Sequence, residues 1–326
     1  MIVKYRTIIL NYVLVPVLVG LFLYMAYSQL MQQPDLERGL RHIARAGYHP
    51  MLYVLVLLSI LNWTIETYKW KLLTSSLESH SFMYLFCSVM SGCSVSMVLP
   101  NRSGEFAGRI LWMKPENRMA AASASFAGSI AQWMITILMG LLGMVVLQTE
   151  LYQRLPAWSS SYGYYTVMLI AGIGFLLAFT AYWNFAWLEK RLSSIGFFQK
   201  RQSVGLFLRS CSSKKLLIVL GWSLIRYTVF ILQYIICLDV CGVHGNPLSM
   251  GCLIAVFFLL MSVSPAIGLI DLPLRATVAT LLIGITSSNI VGIQAAMLLI
   301  WILNLAIPSL VGLLANGRFL TKMEKV

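Results

Sequence analysis

Seven ionisable residues stand within or beside apolar sequence, where charge is expensive. Glu66, Arg226, Asp271 and Arg275 lie inside or at the edge of apolar runs, and Arg102, Glu105 and Arg109 join them if their segment dips into a membrane. A charge at the centre of a bilayer costs about 2.5–3.5 kcal/mol even on the most lenient insertion scale. Residues of this kind are therefore expected to face a protein interior or a wet cavity. Arginine presents a planar fork of donors that matches a phosphate group. The acids can hold the arginines in place or meet a cationic part of a ligand. A plainer alternative is that Glu105–Arg109 and Asp271–Arg275 neutralise one another and pin two hairpins together.

The two acid–arginine pairs occur in matching contexts. VLPNRSGEFAGR contains Pro100, Glu105 and Arg109, and VSPAIGLIDLPLR contains Pro265, Asp271 and Arg275. In each, a proline ends an apolar run, because it lacks a backbone donor and clashes with the preceding turn. Acid and arginine then follow at i and i+4, on one helix face and in the favourable order. Gly104 and Gly108 leave room for close helix approach. The surroundings echo as well: LNWTIETY, with Trp63, precedes the first break and LGWSLIRY, with Trp222, precedes the second. Trp133 and Trp301 follow the two breaks at similar distances.

The elements that carry these residues are apolar helices. Of 326 residues, 59% are hydrophobic and 11% charged, with a mean hydropathy of +0.80. A soluble domain needs a larger polar skin. Runs near 8–30, 51–70, 119–148, 163–187, 216–241 and 290–314 approach or exceed the roughly 20 residues needed to span a bilayer. The expected fold is an all-α polytopic membrane protein with about six spanning helices and two broken, re-entrant helical hairpins, forming a single transmembrane domain over 1–326. Residues 51–148 make a first repeat-like unit with re-entrant 83–118, and 216–314 a second with re-entrant 250–289. With opposite orientations, the units form an inverted repeat whose discontinuous helices meet near the midplane.

The net charge of +13 fits basic loops facing anionic lipid rather than nucleic acid. With both termini cytoplasmic, most basic residues fall inside, and Arg38, Arg41, Arg45 and Arg154 fall outside. The six cysteines contain no C-x-x-C, and the four histidines have no metal spacing, so neither a cofactor nor a metal is expected. No nucleophile elbow, P-loop or kinase signature appears, and nothing in the chain asks for catalysis. Asn62, Gln132, Gln233 and Asn304 read as interhelical hydrogen-bonding groups. Glu66 and Lys69, near a span end, have the alternative of snorkelling to the interface.

PNRSGEFAGR resembles the P-x-R-x-G-E motif of the lysylphosphatidylglycerol synthase transmembrane region, a flippase-like family. NWTIETYKWKLL is similar to its N-W-x-x-E-x-x-K-W element, and LIRYTVFILQ, SPAIGLIDLPLR and WILNLAIPSLVGLL follow its pattern in order. The resemblance implies a fold related to the membrane part of multiple peptide resistance factor, which moves an aminoacylated lipid between leaflets. A soluble aminoacyl-transferase domain is not expected here, so lysyl transfer is not implied. Motif positions fall on Glu66, Pro100, Arg102, Gly104, Glu105, Arg109, Arg226, Asp271 and Arg275. The chain departs from the pattern with Asp271 where many relatives have Glu, and with Pro273 where Gly is more typical. The expected function is translocation or binding of a phospholipid or lipid-linked head group in a bacterial cytoplasmic membrane, with a homo-oligomer or a synthase as possible partner. The alternatives are a membrane-embedded lipid-modifying or glycosyl-transferring enzyme, or a non-catalytic subunit of a synthase.

Overall fold

A computed structural model describes residues 37, 41, 44, 50–98, 103–154, 161–184, 212–264 and 271–323. The expected span at 8–30, and Pro100, Arg102 and Pro265, lie outside the described residues. The described secondary structure is helical throughout: α1 (Met51–Thr74), α2 (Phe82–Val98), α3 (Ser103–Ile110), α4 (Arg118–Val146), α5 (Gln148–Arg154), α6 (Ser161–Trp183), α7 (Ser213–Val240), α8 (Pro247–Val263), α9 (Asp271–Ile283), α10 (Ile290–Trp301) and α11 (Ile307–Met323). Among the described residues five stretches are long and apolar enough to cross a membrane: α1, α4 with the 3-10 turn before it, α6, α7, and α10 running on into α11. Phe82–Met97 and Pro247–Val263 are apolar but shorter. Five of the six expected spans are thus present, together with the two expected short segments.

Local chemistry sets several helix starts. Ser212 Oγ accepts from the Lys215 N–H at α7, Asn246 from Leu248 at α8, and Asn289 from Gly292 at α10, so each side chain satisfies an orphan donor. Pro247 follows the Asn246 cap, at a position where a missing N–H costs nothing. Pro273 is likewise tolerated, because it falls in the first turn of α9. That helix begins at Asp271, five residues before the start of the apolar run. A π-helical turn, Ile302–Ala306, interrupts the last span just before Pro308. The wider turn accommodates a proline that an uninterrupted α-helix would have to kink around.

Each short pair of helices returns to the end of the bundle from which it started. For α2–α3, the Tyr84 hydroxyl donates to the Trp112 carbonyl (2.6 Å), and Glu78 accepts from the Lys114 N–H and the Asn117 amide. For α8–α9, the Asn289 amide donates to the carbonyls of Cys241 and Gly242. The two bases lie at opposite ends. Near the α2–α3 base, Lys215 Nζ approaches the Leu73 carbonyl and Tyr182 donates to Leu216. Near the α8–α9 base, Tyr164 donates to Met144 and Gln233 to Leu55. The free ends of the hairpins meet inside, where Met97 of α2 packs with Leu272 of α9, Leu298 and Trp301.

Small residues allow this compactness. A β-carbon on Gly104 would collide with the backbone of Val95 and Ser96, and one on Gly108 with the backbone of Ser91 and Gly92. The α3 helix therefore lies backbone to backbone on α2, held by Ser91 Oγ to the Gly108 carbonyl (3.0 Å) and Ser88 Oγ to the Arg109 carbonyl (3.1 Å). The long helix of each half grips the hairpin of the other. Gly143 of α4 faces the Cys252 carbonyl of α8, and Gly312 of α11 faces the Met90 carbonyl of α2. Ala120, Ala121, Ala124, Ala127 and Ala131 are buried in one apolar cluster with Trp63, Trp70 and Leu73 of α1, whereas Leu169, Ile170, Leu176 and Leu177 of α6 face outward as a lipid-facing surface would.

Replacing Gly108 by Ala is expected to destabilise the detergent-solubilised protein by about 1–3 kcal/mol, the cost of overpacking. Gly172→Ala, at a site with no neighbour within 4 Å, should leave the unfolding midpoint unchanged or raise it, since Ala favours helix. A thermal unfolding scan of both variants checks the pair.

Candidate functional site

The site is built around one face of α1. Asn62, Trp63, Glu66, Lys69 and Trp70 recur at helical spacing, so they project toward α3, α4 and α7. Glu66 is the centre. Its Oε1 accepts from Arg109 Nη1 of α3 at 2.7 Å. Its Oε2 lies 2.8 Å from Lys69 Nζ and 3.2 Å from Arg226 Nη1 of α7. Glu66, Lys69 and Arg109 are all buried.

Neighbouring residues on the same face support the cations. Arg226 Nε donates to Asn62 Oδ1 (2.8 Å), and its guanidinium lies 5.5 Å from the centre of the Trp63 ring and 5.2 Å from that of Phe230. Arg109 lies over Trp70 at 5.8 Å. Lys69 Nζ also approaches the Gly128 carbonyl of α4 at 3.5 Å. Aromatic faces stabilise a cation that has lost its water.

The expected Glu105–Arg109 pairing is secondary. Those groups are 3.7 Å apart, and Arg109 turns to Glu66 instead, leaving Glu105 partly exposed. The second pair is direct: Arg275 Nε to Asp271 Oδ2 is 2.7 Å across one turn of α9. Arg275 also interacts with Tyr234 of α7.

A cavity of about 530 Å³ opens between these groups. Glu66, Glu105, Arg226 and Arg275 line it, as do Lys69, Trp63, Trp133, Tyr227, Trp301, Gln132 and Asn304. Arg109 stands behind Glu66 and Asp271 behind Arg275, and neither lines the cavity. Arg226 and Gln132 sit halfway along α7 and α4, which places the cavity near the middle of the bundle. Among the described residues no three His, Cys, Asp or Glu side chains converge as metal ligands would.

Lys69 is the member that sequence reasoning undervalued. It does not snorkel: it is 2% exposed and bound to Glu66. Its i+3 spacing from Glu66 was the available signal, but spacing alone does not say which helix covers it. Gln233 and Asn304 do act between helices, Asn304 Nδ2 donating to Gln233 Oε1 (2.8 Å) and Gln233 Nε2 to the Leu55 carbonyl (3.0 Å).

The spans, the inward-turned charges and the outward-facing apolar surface define a polytopic, helical integral membrane protein. The family model for the lysylphosphatidylglycerol synthase TM region matches residues 8–312, and the chain belongs to that family. Neither the search of curated proteins nor that of solved structures found a match.

Removing Glu66 would leave Lys69, Arg109 and Arg226 without the acid they share. Breaking a buried ion pair from one side costs about 3–5 kcal/mol. Glu66→Gln is expected to destabilise the protein by that order, and adding Lys69→Met should recover part of the loss. Unfolding midpoints of the single and double variants measure both effects.

Proposed function

We propose that this protein moves a phosphate-bearing lipid, or a lipid-linked head group, across a bacterial cytoplasmic membrane. The observation that carries the proposal is the midpoint cavity, with Arg226 and Arg275 in its wall. Guanidinium groups suit a phosphate, and a polar cavity spares a head group from contact with hydrocarbon. Glu66 and Asp271 hold the two arginines in place, while Glu105 gives the wall an acid of its own. Family membership supports a role in lipid chemistry, and the flippase reading builds on it.

The architecture suits alternating access. The α2–α3 and α8–α9 hairpins are re-entrant elements of an inverted repeat, one in 51–148 and the other in 216–314. Their bases at opposite ends, their meeting at Met97 and Leu272, and the reciprocal grip of α4 on α8 and α11 on α2 support that relation. In this arrangement both termini are cytoplasmic, and rocking one half against the other opens the cavity to each leaflet in turn.

In proteoliposomes, Arg275→Gln should slow translocation of a fluorescent phospholipid at least about tenfold, equivalent to roughly 1.4 kcal/mol of lost interaction. The variant should elute as a folded species. An unchanged rate would remove Arg275 from the transport site.

Topology is tested separately in a background without the native cysteines. Single cysteines replacing the exposed Ser79 and Ser288, at the two hairpin bases, should react with an impermeant thiol reagent from opposite faces of the membrane. Labelling of both from one face would overturn the inverted repeat.

A further inference from the structure

The last membrane-crossing stretch is divided between the two hairpins. Its α10 part packs with the second: Ile293, Ala296 and Ile300 share an apolar cluster with Cys237 of α7, Phe257 of α8 and Leu282 of α9. Its α11 part is bonded to the first. Ser309 Oγ donates to the Cys93 carbonyl of α2 (3.1 Å), and Asn316 Nδ2 donates to Ser94 Oγ of α2 (3.2 Å). The Trp112 indole, just after α3, donates to Asn316 Oδ1 (3.2 Å). Gly312 leaves no room for a side chain between itself and the Met90 carbonyl. The π-helical turn, Ile302–Ala306, is the junction of these two parts.

The main-chain ladder is interrupted at that junction. The Ile307 N–H bonds to the Ile302 carbonyl, five residues back, rather than to Leu303 as in an α-helix. The next residue, Pro308, has no N–H to offer. The Leu303 carbonyl thus lacks its usual donor, and it accepts from Ser59 Oγ of α1 at 2.9 Å instead. Asn304 Nδ2 adds a bond to Gln233 Oε1 of α7, and Gln233 Nε2 in turn reaches the Leu55 carbonyl of α1. On the cavity side, Asn304 Oδ1 and the Trp301 indole N–H have no hydrogen-bond partner among the described residues. Bending a regular helix strains its i→i+4 bonds, whereas here the ladder is already open and a hydroxyl of a neighbouring helix marks a fixed point. The long helix after the first hairpin, α4, runs from Arg118 to Val146 as α-helix without such a break.

We infer that the π-turn is the pivot of the transport movement, with α11 and the α2–α3 hairpin swinging as one body about residues 302–306 against α10 and the α8–α9 hairpin. The inference rests on the proposed transport function and assigns the element that permits its movement. The buried ion pair between Glu66 and Arg109 tolerates such a swing because it lies near the pivot. Glu66 is roughly two turns along α1 from Ser59, whereas Thr74, at the end of α1 nearest the hairpin base, is roughly four. The same rotation displaces the pair less than the base. Trp301 and, in the turn itself, Asn304 and Leu305 line the cavity, so the swing reshapes the cavity directly.

Pro308 is buried and does not line the cavity, which separates the pivot from binding. Pro308→Ala returns an N–H and a helix-favouring residue to the break and stiffens it. In proteoliposomes it should slow translocation of a fluorescent phosphatidylglycerol at least about tenfold, through a higher barrier to each swing. Its unfolding midpoint should be unchanged or higher, and its retention of the same lipid, read by native mass spectrometry, unchanged. Pro308→Gly restores the N–H but keeps the chain pliant, so it should slow translocation less. A second arm tests the moving body. In a background without the native cysteines, Ser94→Cys and Asn316→Cys are bridged by a short bifunctional thiol reagent, which joins α2 to α11. Bridging should leave the rate as it was before the reagent, because the two helices travel together. This arm decides the matter if Pro308→Ala does not fold. An unslowed Pro308→Ala, a slowed one that has also lost lipid retention, or translocation stopped by the bridge overturns the pivot and leaves the transport reading standing. No translocation by the unaltered protein overturns that reading and the pivot with it.

Discussion

A single carboxylate, Glu66, holds together charges contributed by three helices. In a low-dielectric interior an ion pair is strong, but stripping water from each partner is costly, so the arrangement persists only when every charge is met. Lys69 and Arg226 share one carboxylate oxygen, and Arg109 takes the other. The consequence is positional. Arg109 ties the short hairpin helix α3 to α1, and Arg226 ties α7 to α1. The aromatic residues Trp63 and Trp70 then cover the guanidinium groups on the same face. With Glu66 at the centre, the first half of the molecule is organised by electrostatics as much as by apolar packing.

Backbone contact makes that geometry possible. An arginine on α3 can reach Glu66 only if α3 lies close to α2 and the pair is tucked against α1. Glycines at 92, 104 and 108 remove the side chains that would hold α3 away, and Ser88 and Ser91 convert the close approach into hydrogen bonds to its carbonyls. Among the described residues the second hairpin has no comparable glycine contact, and its polar pair is local: Asp271 and Arg275 meet on one helix. The two halves are alike in outline and unlike in how they hold charge. In the first, acid and base come from different helices, whereas in the second they come from one.

The wall of the cavity combines a held and an available population of polar groups. Glu66 and Arg226 are already paired, and they define shape and potential. Glu105 and the unpaired amide and indole groups supply the capacity to respond to an occupant. The π-turn at 302–306 contributes to this second population, because it carries Asn304 to the wall at the cost of a regular helix. Departures from regular helix in membrane proteins are tolerated where they are buried or line a cavity.

Composition and run length alone determined that the protein is helical and membrane-embedded, because apolar stretches of that length have no other stable solution in lipid. The short hairpins were legible from Pro100 and Pro265 and from the acid–arginine spacing, which are local signals. Local spacing also suggested that Glu105 would neutralise Arg109 and that Lys69 could reach the interface. The tertiary structure decided otherwise. Glu66, one helix away, offers Arg109 a shorter contact than its own helix does, and α4 covers Lys69. The Asp271–Arg275 pair was readable because both partners share a helix turn. Which charges line the cavity and which stand behind it could not be read from the chain. That depends on the packing of helices distant in sequence, and an ion pair is set by distance in space.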